Sequence, residues 1–261
     1  MTGVGFSKIN RNYVISIRKS MEIFIQRIMK WLGTSKTLSI PRGYVGRFLV
    51  GYYQNMGLVI LSIHSRSPGV FDLIRQIKEE TEMLLSDLDA YQIYTMVKKT
   101  SKIDGDIAEV GVYKGGSAKL IREASKKPLH VFDTFEGLPG LSEHDNPEQF
   151  HQGDYSASFE SVKSYLKNYS NISFYKGVFP STAEPVKNKR FAFVHLDIDI
   201  YESMLNCLKF FYPRMSKGGV IIGHDYSGSI GVKQAFDEFF EDKSEIIIEP
   251  FGTDLGLIVK V

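Results

Sequence analysis

The stretch that decides the fold is DIAEVGVYKGGS, residues 106–117, a short apolar run that ends in a glycine-rich turn. An apolar run of this length, bounded by glycines, predicts a buried strand. The glycines let the backbone turn sharply and approach a ligand closely. A helical pattern follows over residues 115–126. Strand, glycine turn and helix together predict the first unit of an α/β domain that binds a ligand at the turn.

The same alternation continues to the end of the chain. Strands are predicted at 106–111, 129–133, 172–176, 191–197, 219–224, 245–249 and 256–260. Helices are predicted around Leu84–Val97 and at 115–126, 157–168, 201–212 and 230–240. This order favours a mostly parallel, seven-stranded sheet with helices on both faces. No helix separates the last two strands, so we expect them to form an antiparallel hairpin at one edge.

Composition indicates an ordered protein with two unlike parts. Of the 261 residues, 43% are hydrophobic and 24% charged, which excludes extensive disorder. A single cysteine, Cys207, excludes a disulfide framework and fits a reducing, cytoplasmic compartment. Residues 1–50 carry a net charge of +8 and the remaining residues −6. We therefore predict a basic helical N-terminal extension over residues 1–78 and a catalytic domain over residues 79–261.

The extension contains an amphipathic pattern at residues 13–32 with apolar residues at helical spacing. This helix could pack on the main domain, form a homodimer contact or lie peripherally on an anionic membrane surface. The apolar run Phe48–Ile63 has only 16 residues and contains Gln54 and Asn55, so it is too short and too polar to span a bilayer. No nucleic-acid motif accompanies the basic residues, so a nucleic-acid partner is not expected.

The ends of the first three strands predict a nucleoside cofactor. Asp133 ends the second strand, where a carboxylate can accept hydrogen bonds from ribose hydroxyls. Glu109 stands where the dinucleotide fingerprint has its first glycine, and a carboxylate there would repel a pyrophosphate but suits an amino group. This favours S-adenosylmethionine over NAD. Gly177 allows close approach, and Phe179 either packs on a purine or belongs to the core. A tight turn with a solvated aspartate is the simpler alternative.

The ends of the fourth and fifth strands predict a metal site. Asp197 and Asp225 would lie on neighbouring strand ends, and carboxylate oxygens suit Mg²⁺. His224 adds a nitrogen ligand, which suits Mn²⁺ or another transition metal better. The alternative is that these carboxylates cap helices, an explanation that fits Asp199 and Ser203 better than Asp197.

The long segment 134–156 predicts a lid over this site. It contains His144 and His151, either of which could act as a general base near neutral pH. A surface position without a role remains the alternative for each histidine.

These motifs together resemble the macrocin O-methyltransferase family of class I, S-adenosylmethionine-dependent enzymes. The resemblance rests on DIAEVGVYKGGSAKLI…HVFDTFEGLP (106–139), LDIDIYES (196–203), PRMSKGGVIIGHDY (213–226) and GVKQAFDEFF (231–240). It covers roughly residues 80–261. It implies a Rossmann-like methyltransferase sheet with a terminal antiparallel strand.

The resemblance also implies roles for individual residues. Asp197, His224 and Asp225 match the family's metal positions, although the family commonly has an acidic pair at the last two. Asp199 matches a position proposed as general base in some relatives, and others use a histidine after the second strand, here His144 or His151. The predicted cofactor set is Glu109, Gly111, Tyr113, Gly115, Ser117, Asp133, Thr134, Phe135, Gly177 and Phe179.

The sequence therefore predicts metal-assisted transfer of a methyl group from S-adenosylmethionine to a hydroxyl of a sugar or glycosylated small molecule. The acceptor could be lipid-linked. A catechol acceptor, a protein that binds the cofactor without catalysis, and a nicotinamide oxidoreductase are the alternatives. Glu109 disfavours the oxidoreductase, and His224 admits the inactive binding protein.

Overall fold

The computed structural model describes residues 69–261. The predicted amphipathic helix at 13–32 and the apolar run at 48–63 lie outside the described residues. The division into an extension at 1–78 and a domain at 79–261 stays a prediction, as do the membrane and homodimer contacts. From residue 69 onward, no helix combines the length and the apolar character that a membrane span requires.

Helices and strands alternate along the described chain. The strands are β1 Asp106–Val110, β2 Leu129–Asp133, β3 Ile172–Lys176, β4 Phe191–Leu196, β5 Met215–Gly223 and β6 Gly256–Val259. The helices are α1 Gly69–Glu80, α2 Asp87–Lys99, α3 Gly116–Ala124, α4 Phe159–Leu166, α5 Tyr201–Phe211 and α6 Ile230–Phe240. Single 3₁₀ turns lie at Thr100–Lys102, Glu184–Val186 and Tyr212–Arg214.

The strands form one sheet in the order β3-β2-β1-β4-β5-β6. All neighbouring pairs are parallel except β5 and β6, which are antiparallel. This confirms the predicted mostly parallel sheet with an antiparallel edge. The order reverses between β1 and β4, and such a switch point leaves a crevice at the carboxyl ends of the strands.

Helices cover both faces of the sheet because successive strand residues point to opposite sides. Ile107 on β1 belongs to the apolar cluster that includes α1, α2 and α3, whereas Ala108 belongs to the cluster that includes α5 and α6. Phe193 and Val194 on β4 divide in the same way. The two clusters hold the central strands rigidly and so fix the positions of the residues that follow them.

The described residues form six strands, not the predicted seven. The segment 245–249 contributes a single bridge, Ile248 to Leu257, and β6 pairs mainly with β5 rather than with this segment. At the start of this segment the side chain of Glu245 is buried and accepts hydrogen bonds from Lys260 Nζ (2.6 Å) and Tyr212 Oη (2.7 Å). The next side chain, Ile246, is 74% exposed. The apolar residues of this segment therefore do not build a regular sheet edge.

Glu245 should make the stability of the protein pH-dependent. Burial raises the pKa of Glu245, but hydrogen bonds from Lys260 and Tyr212 outweigh burial and lower it from 4.5 to about 2. The folded state therefore favours the ionised form, and this stabilisation is lost as the pH falls from the unfolded pKa towards about 2. We expect Glu245→Gln to lower the free energy of unfolding by about 2 kcal/mol at neutral pH.

Urea denaturation of Glu245→Gln at several pH values checks this expectation, with Glu249→Gln as the control in the same segment, where the side chain is exposed. The difference between Glu245→Gln and the wild type should shrink as the solution becomes acidic. A difference that stays constant down to about pH 3 would contradict the assignment.

Candidate active site

A cavity of about 440 Å³ lies at the carboxyl ends of the parallel strands. Residues that follow β1, β2, β3, β4 and β5 line this cavity. The cavity therefore lies at the switch point of the sheet. A volume of this order is typical of small-molecule sites. The predicted residues that line it are Gly111, Tyr113, Ser117, Asp133, Thr134, Gly177, Phe179, Asp197, Asp199, His224 and Asp225.

The glycine turn approaches the end of β4 so closely that only glycine fits. Gly111 has a φ of +85°, and a Cβ there would lie 1.6 Å from the backbone oxygen of Asp197. The amide of Asp197 donates to the carbonyl of Val110 at 2.9 Å. Gly115 also has a positive φ, at the start of α3, where it faces Val162 rather than the cavity. Gly111 therefore brings the turn after β1 and the residues after β4 into one wall.

Asp133 holds this turn in place. Its Oδ2 accepts hydrogen bonds from the amides of Val112 (2.6 Å) and Tyr113 (3.0 Å), and its Oδ1 accepts one from the amide of Phe135 (2.6 Å). A carboxylate has about four acceptor positions, so roughly one remains for a ligand hydroxyl. The sequence indicated the ligand-facing role but not this structural role.

Glu109 does not line the cavity. The side chain is fully buried and lies 2.9 Å from Nδ1 of His195, its neighbour across β1 and β4. Burial raises the pKa of Glu109. Among the described residues, Glu109 Oε2 and His195 Nε2 have no hydrogen-bond partner. In this structure Glu109 therefore has no direct contact with the cavity.

The aromatic residues of the predicted cofactor set have different surroundings. Phe179 lines the cavity but is also packed in the core, with its ring stacked on Phe211 at 5.2 Å between centroids. Phe135 does not line the cavity and packs against Phe159. Next to it, the Thr134 hydroxyl donates to the carbonyl of Gly137 at 2.7 Å, which shapes the start of the long loop.

The predicted metal-binding residues meet at one point. Nδ1 of His224 lies 3.1 Å from Asp197 Oδ1 and 2.9 Å from Asp225 Oδ2. One ligand atom from each residue lies within 4.8 Å of the others. Burial lowers the pKa of His224, but the two carboxylates outweigh burial and raise it to about 12. Burial raises the pKa of Asp197, and the neighbouring His224 outweighs that effect and lowers it.

Asp199 lies beside this group in a strained conformation. Its φ is +60°, and Asp225, Tyr113 and Tyr155 in the same wall also have positive φ values. Such values cost free energy and tend to occur at functional sites. Burial is the main cause that raises the pKa of Asp199 well above its ordinary value, and the negative charges of Asp197 and Asp225 raise it further.

Asp199 does not cap the following helix, which was the alternative for this residue. The N-cap position of α5 is Ile200, whose side chain makes no capping bond. The amide of Tyr201 instead donates to Asp145 Oδ1 in the long loop at 2.7 Å. The carboxylate of Asp199 is thus left facing the cavity.

The two loop histidines lie away from the cavity wall. The ring of His144 packs on Tyr201 at 4.2 Å between centroids. The side chain of His151 is 69% exposed and pairs with Asp154. Within the described part of the chain, neither histidine belongs to the lining residues.

Tyr155 and Asp89 are two of the wall residues that were not predicted as site residues. Tyr155 comes from the long loop, where backbone bonds between Leu138 and residues 153–154 form a strap, and its ring meets Tyr113 edge-on at 6.2 Å. Asp89 comes from the first turn of α2, where a capping pattern with Ser86 is the only sequence signal. Both reach the cavity through tertiary packing.

The cavity wall is strongly acidic. Among residues 69–261 it contains eight carboxylates and one histidine, and no lysine or arginine. The carboxylates are Glu82, Asp89, Asp133, Asp154, Asp197, Asp199, Asp225 and Asp254. Such a wall attracts cations and repels anions.

Comparison with known proteins gives one matching family model, described as macrocin-O-methyltransferase (TylF), over residues 87–252. A tetracenomycin 4'-O-methyltransferase of Streptomyces olivaceus that acts on a 2,3-dimethoxy-α-L-rhamnosyl compound is 28% identical over 182 residues, 59% of this chain and 70% of that protein. Demethyldecarbamoylnovobiocin O-methyltransferase of Streptomyces niveus is 29% identical over 56% of this chain and 63% of its own length.

Solved structures agree with these matches. The O-methyltransferase NovP has a TM-score of 0.57 at 25% identity, over 66% of this chain and 79% of that one. The calicheamicin methyltransferase CalS11 has the same TM-score at 17% identity, over 99% and 98% of the two chains, and supports the fold alone. An O-methyltransferase from Bacillus cereus, solved in complex with SAH, is 13% identical and likewise shows the shared fold.

The close approach at Gly111 gives a testable expectation for ligand binding. Gly111→Ala should weaken binding of S-adenosylhomocysteine about tenfold or more and lower the melting temperature by about 5 °C, because the added Cβ must displace the backbone of Asp197. Gly140→Ala is the matched control, since a Cβ there meets open space. Calorimetry and thermal unfolding check both variants, and equal behaviour of the two would contradict this account of the turn.

Proposed function

We propose that this chain transfers a methyl group from S-adenosylmethionine to a sugar hydroxyl of a glycosylated small molecule. The chain belongs to the macrocin-O-methyltransferase family and is therefore an O-methyltransferase. The observation that carries this proposal is that one cavity is lined both by the glycine turn with Asp133 and by the group of Asp197, Asp199 and Asp225. One side suits a nucleoside cofactor, and the other suits an acceptor hydroxyl.

The cofactor would bind along the glycine turn. Gly111 and Gly177 line the cavity, the remaining acceptor position of Asp133 suits a ribose hydroxyl, and Phe179 offers an aromatic surface. The acidic wall suits the positive charge of the sulfonium group. In this arrangement the chain binds and orients the methyl donor, and alignment of donor and acceptor supplies much of the rate acceleration.

The residues present fit a divalent metal ion. Asp197 and Asp225 would supply oxygen ligands, and His224 would supply Nδ1, which already lies about 3 Å from both carboxylates. A nitrogen ligand in this set suits Mn²⁺ at least as well as Mg²⁺. When bound, such an ion lowers the pKa of a hydroxyl that it contacts.

Asp199 would accept the proton of the acceptor hydroxyl. Its carboxylate lines the cavity beside Asp197 and Asp225, where it can reach a hydroxyl bound next to them. Neither His144 nor His151 lines the cavity, so we favour Asp199 over both.

The charge and the rim of the cavity support a neutral or cationic glycoside as acceptor. A wall without lysine or arginine among the described residues does not suit the diphosphate of a nucleotide sugar. Apolar side chains at the rim suit the non-sugar part of a glycoside, since Leu84 is 58% exposed, Val178 51% and Tyr155 41%. The two compared O-methyltransferases act, by their names, on a rhamnosyl tetracenomycin and on a novobiocin precursor.

Methyl transfer from isotope-labelled S-adenosylmethionine tests this function. The full chain, with Mn²⁺ or Mg²⁺, is offered neutral aryl glycosides, nucleotide sugars and catechols, and mass spectrometry locates the label. We expect label on a sugar hydroxyl of a neutral glycoside, and Asp199→Asn should reduce the rate by about 100-fold or more. Asp242→Asn, at an exposed carboxylate outside the cavity, should leave the rate unchanged. Transfer to catechols or nucleotide sugars alone would contradict the proposed acceptor class.

A further inference from the structure

Asp89 is a buried carboxylate that the proposed reaction does not use. Its side chain is 4% exposed and lies in the cavity wall at the first turn of α2. Oδ1 accepts a hydrogen bond from the amide of Asp254 at 3.0 Å, and Oδ2 accepts one from the amide of Ser86 at 3.2 Å and another from the Ser86 hydroxyl. Oδ2 also lies 4.0 Å from Nε2 of His224.

The two ring nitrogens of His224 face different carboxylates. Nδ1 faces Asp197 and Asp225, which are the other two members of the candidate metal group. Coordination through Nδ1 requires its lone pair, so the ring proton is then carried by Nε2. Among the described residues, Asp89 is the carboxylate within 4.0 Å of that nitrogen.

We propose that Asp89 is a positioning residue that keeps the His224 ring turned with Nδ1 towards Asp197 and Asp225. The inference rests on the proposed function, because it assumes that these three residues hold a metal ion. Histidine ligands commonly direct their second nitrogen at a carboxylate, which fixes both the tautomer and the ring orientation. At 4.0 Å the attraction between Asp89 and the Nε2–H acts through charge rather than through a direct hydrogen bond.

Three hydrogen bonds from two residues hold Asp89 in place, which makes it suited to this task. The capping bonds from Ser86 fix it to the start of α2. The bond from the Asp254 amide fixes it to the loop before β6, and the Asp254 carbonyl accepts a bond from the amide of Tyr226, two residues after His224. Asp89 therefore joins α2 to the loop before β6 and, through Asp254, to the residues that follow His224.

The inference also accounts for the histidine at position 224. An aspartate at position 224 has no ring whose orientation a second carboxylate must fix. It would also place a negative charge near the negative charge of Asp89. His224 and Asp89 are thus expected to act together in metal binding, and variants of both residues test this.

Binding of Mn²⁺ to the full chain, measured by electron paramagnetic resonance of the free ion, tests the pairing. We expect Asp89→Asn to weaken Mn²⁺ binding about 10- to 100-fold while leaving S-adenosylhomocysteine binding within about twofold of the wild type. Asp87→Asn removes the same charge from the same helical turn at an exposed position, and it should leave Mn²⁺ binding unchanged.

A double-mutant cycle separates positioning from a general loss of structure. In a His224→Asp background, Asp89→Asn should no longer weaken Mn²⁺ binding, because no imidazole remains to be oriented. Equal weakening in both backgrounds, or unchanged Mn²⁺ binding in Asp89→Asn, would overturn the inference. A wild-type chain that binds S-adenosylhomocysteine but not Mn²⁺ would also overturn it and leave methyl transfer standing, whereas a chain that binds neither would overturn the proposed function.

Discussion

The contact between the turn after β1 and the end of β4 is the constraint on which the active-site architecture depends. Gly111 approaches the backbone of Asp197 so closely that no side chain can stand between them. This contact places the glycine turn, which is the proposed cofactor site, and the group of Asp197, Asp199 and Asp225 in the wall of one cavity. The strand order makes the approach possible, since β1 and β4 are neighbours although about 80 residues separate them along the chain.

The cavity concentrates features that destabilise a folded protein. Asp199 and Asp225 are bent into left-handed conformations, and several carboxylates are brought close together at the edge of a low-dielectric core. The apolar clusters on the two faces of the sheet offset this cost, since the central strands are buried on both sides. The site is therefore strained but follows strands that are buried on both faces, an arrangement that keeps reacting groups aligned.

The local sequence pattern predicted the sheet, because a strand that is covered on both faces consists of a short apolar run between turn residues. Such a run can be recognised in the sequence alone. The same rule failed at 245–249, where three consecutive isoleucines suggested a strand but Glu245 is the buried residue and Ile246 and Ile248 are exposed. Residues directly after strands, such as Asp197 and Asp225, were predictable because parallel strands end at a common edge. Asp89 and Tyr155 were not, because α2 and the long loop reach the cavity through packing that leaves no periodic signal.

Calorimetric titration of the full chain with S-adenosylhomocysteine, with and without Mn²⁺, tests the central claim that the cavity at the switch point is a methyl-donor site. The account predicts saturable binding with one ligand per chain, which Gly111→Ala weakens about tenfold or more. The absence of binding by the wild-type chain under both conditions would contradict it.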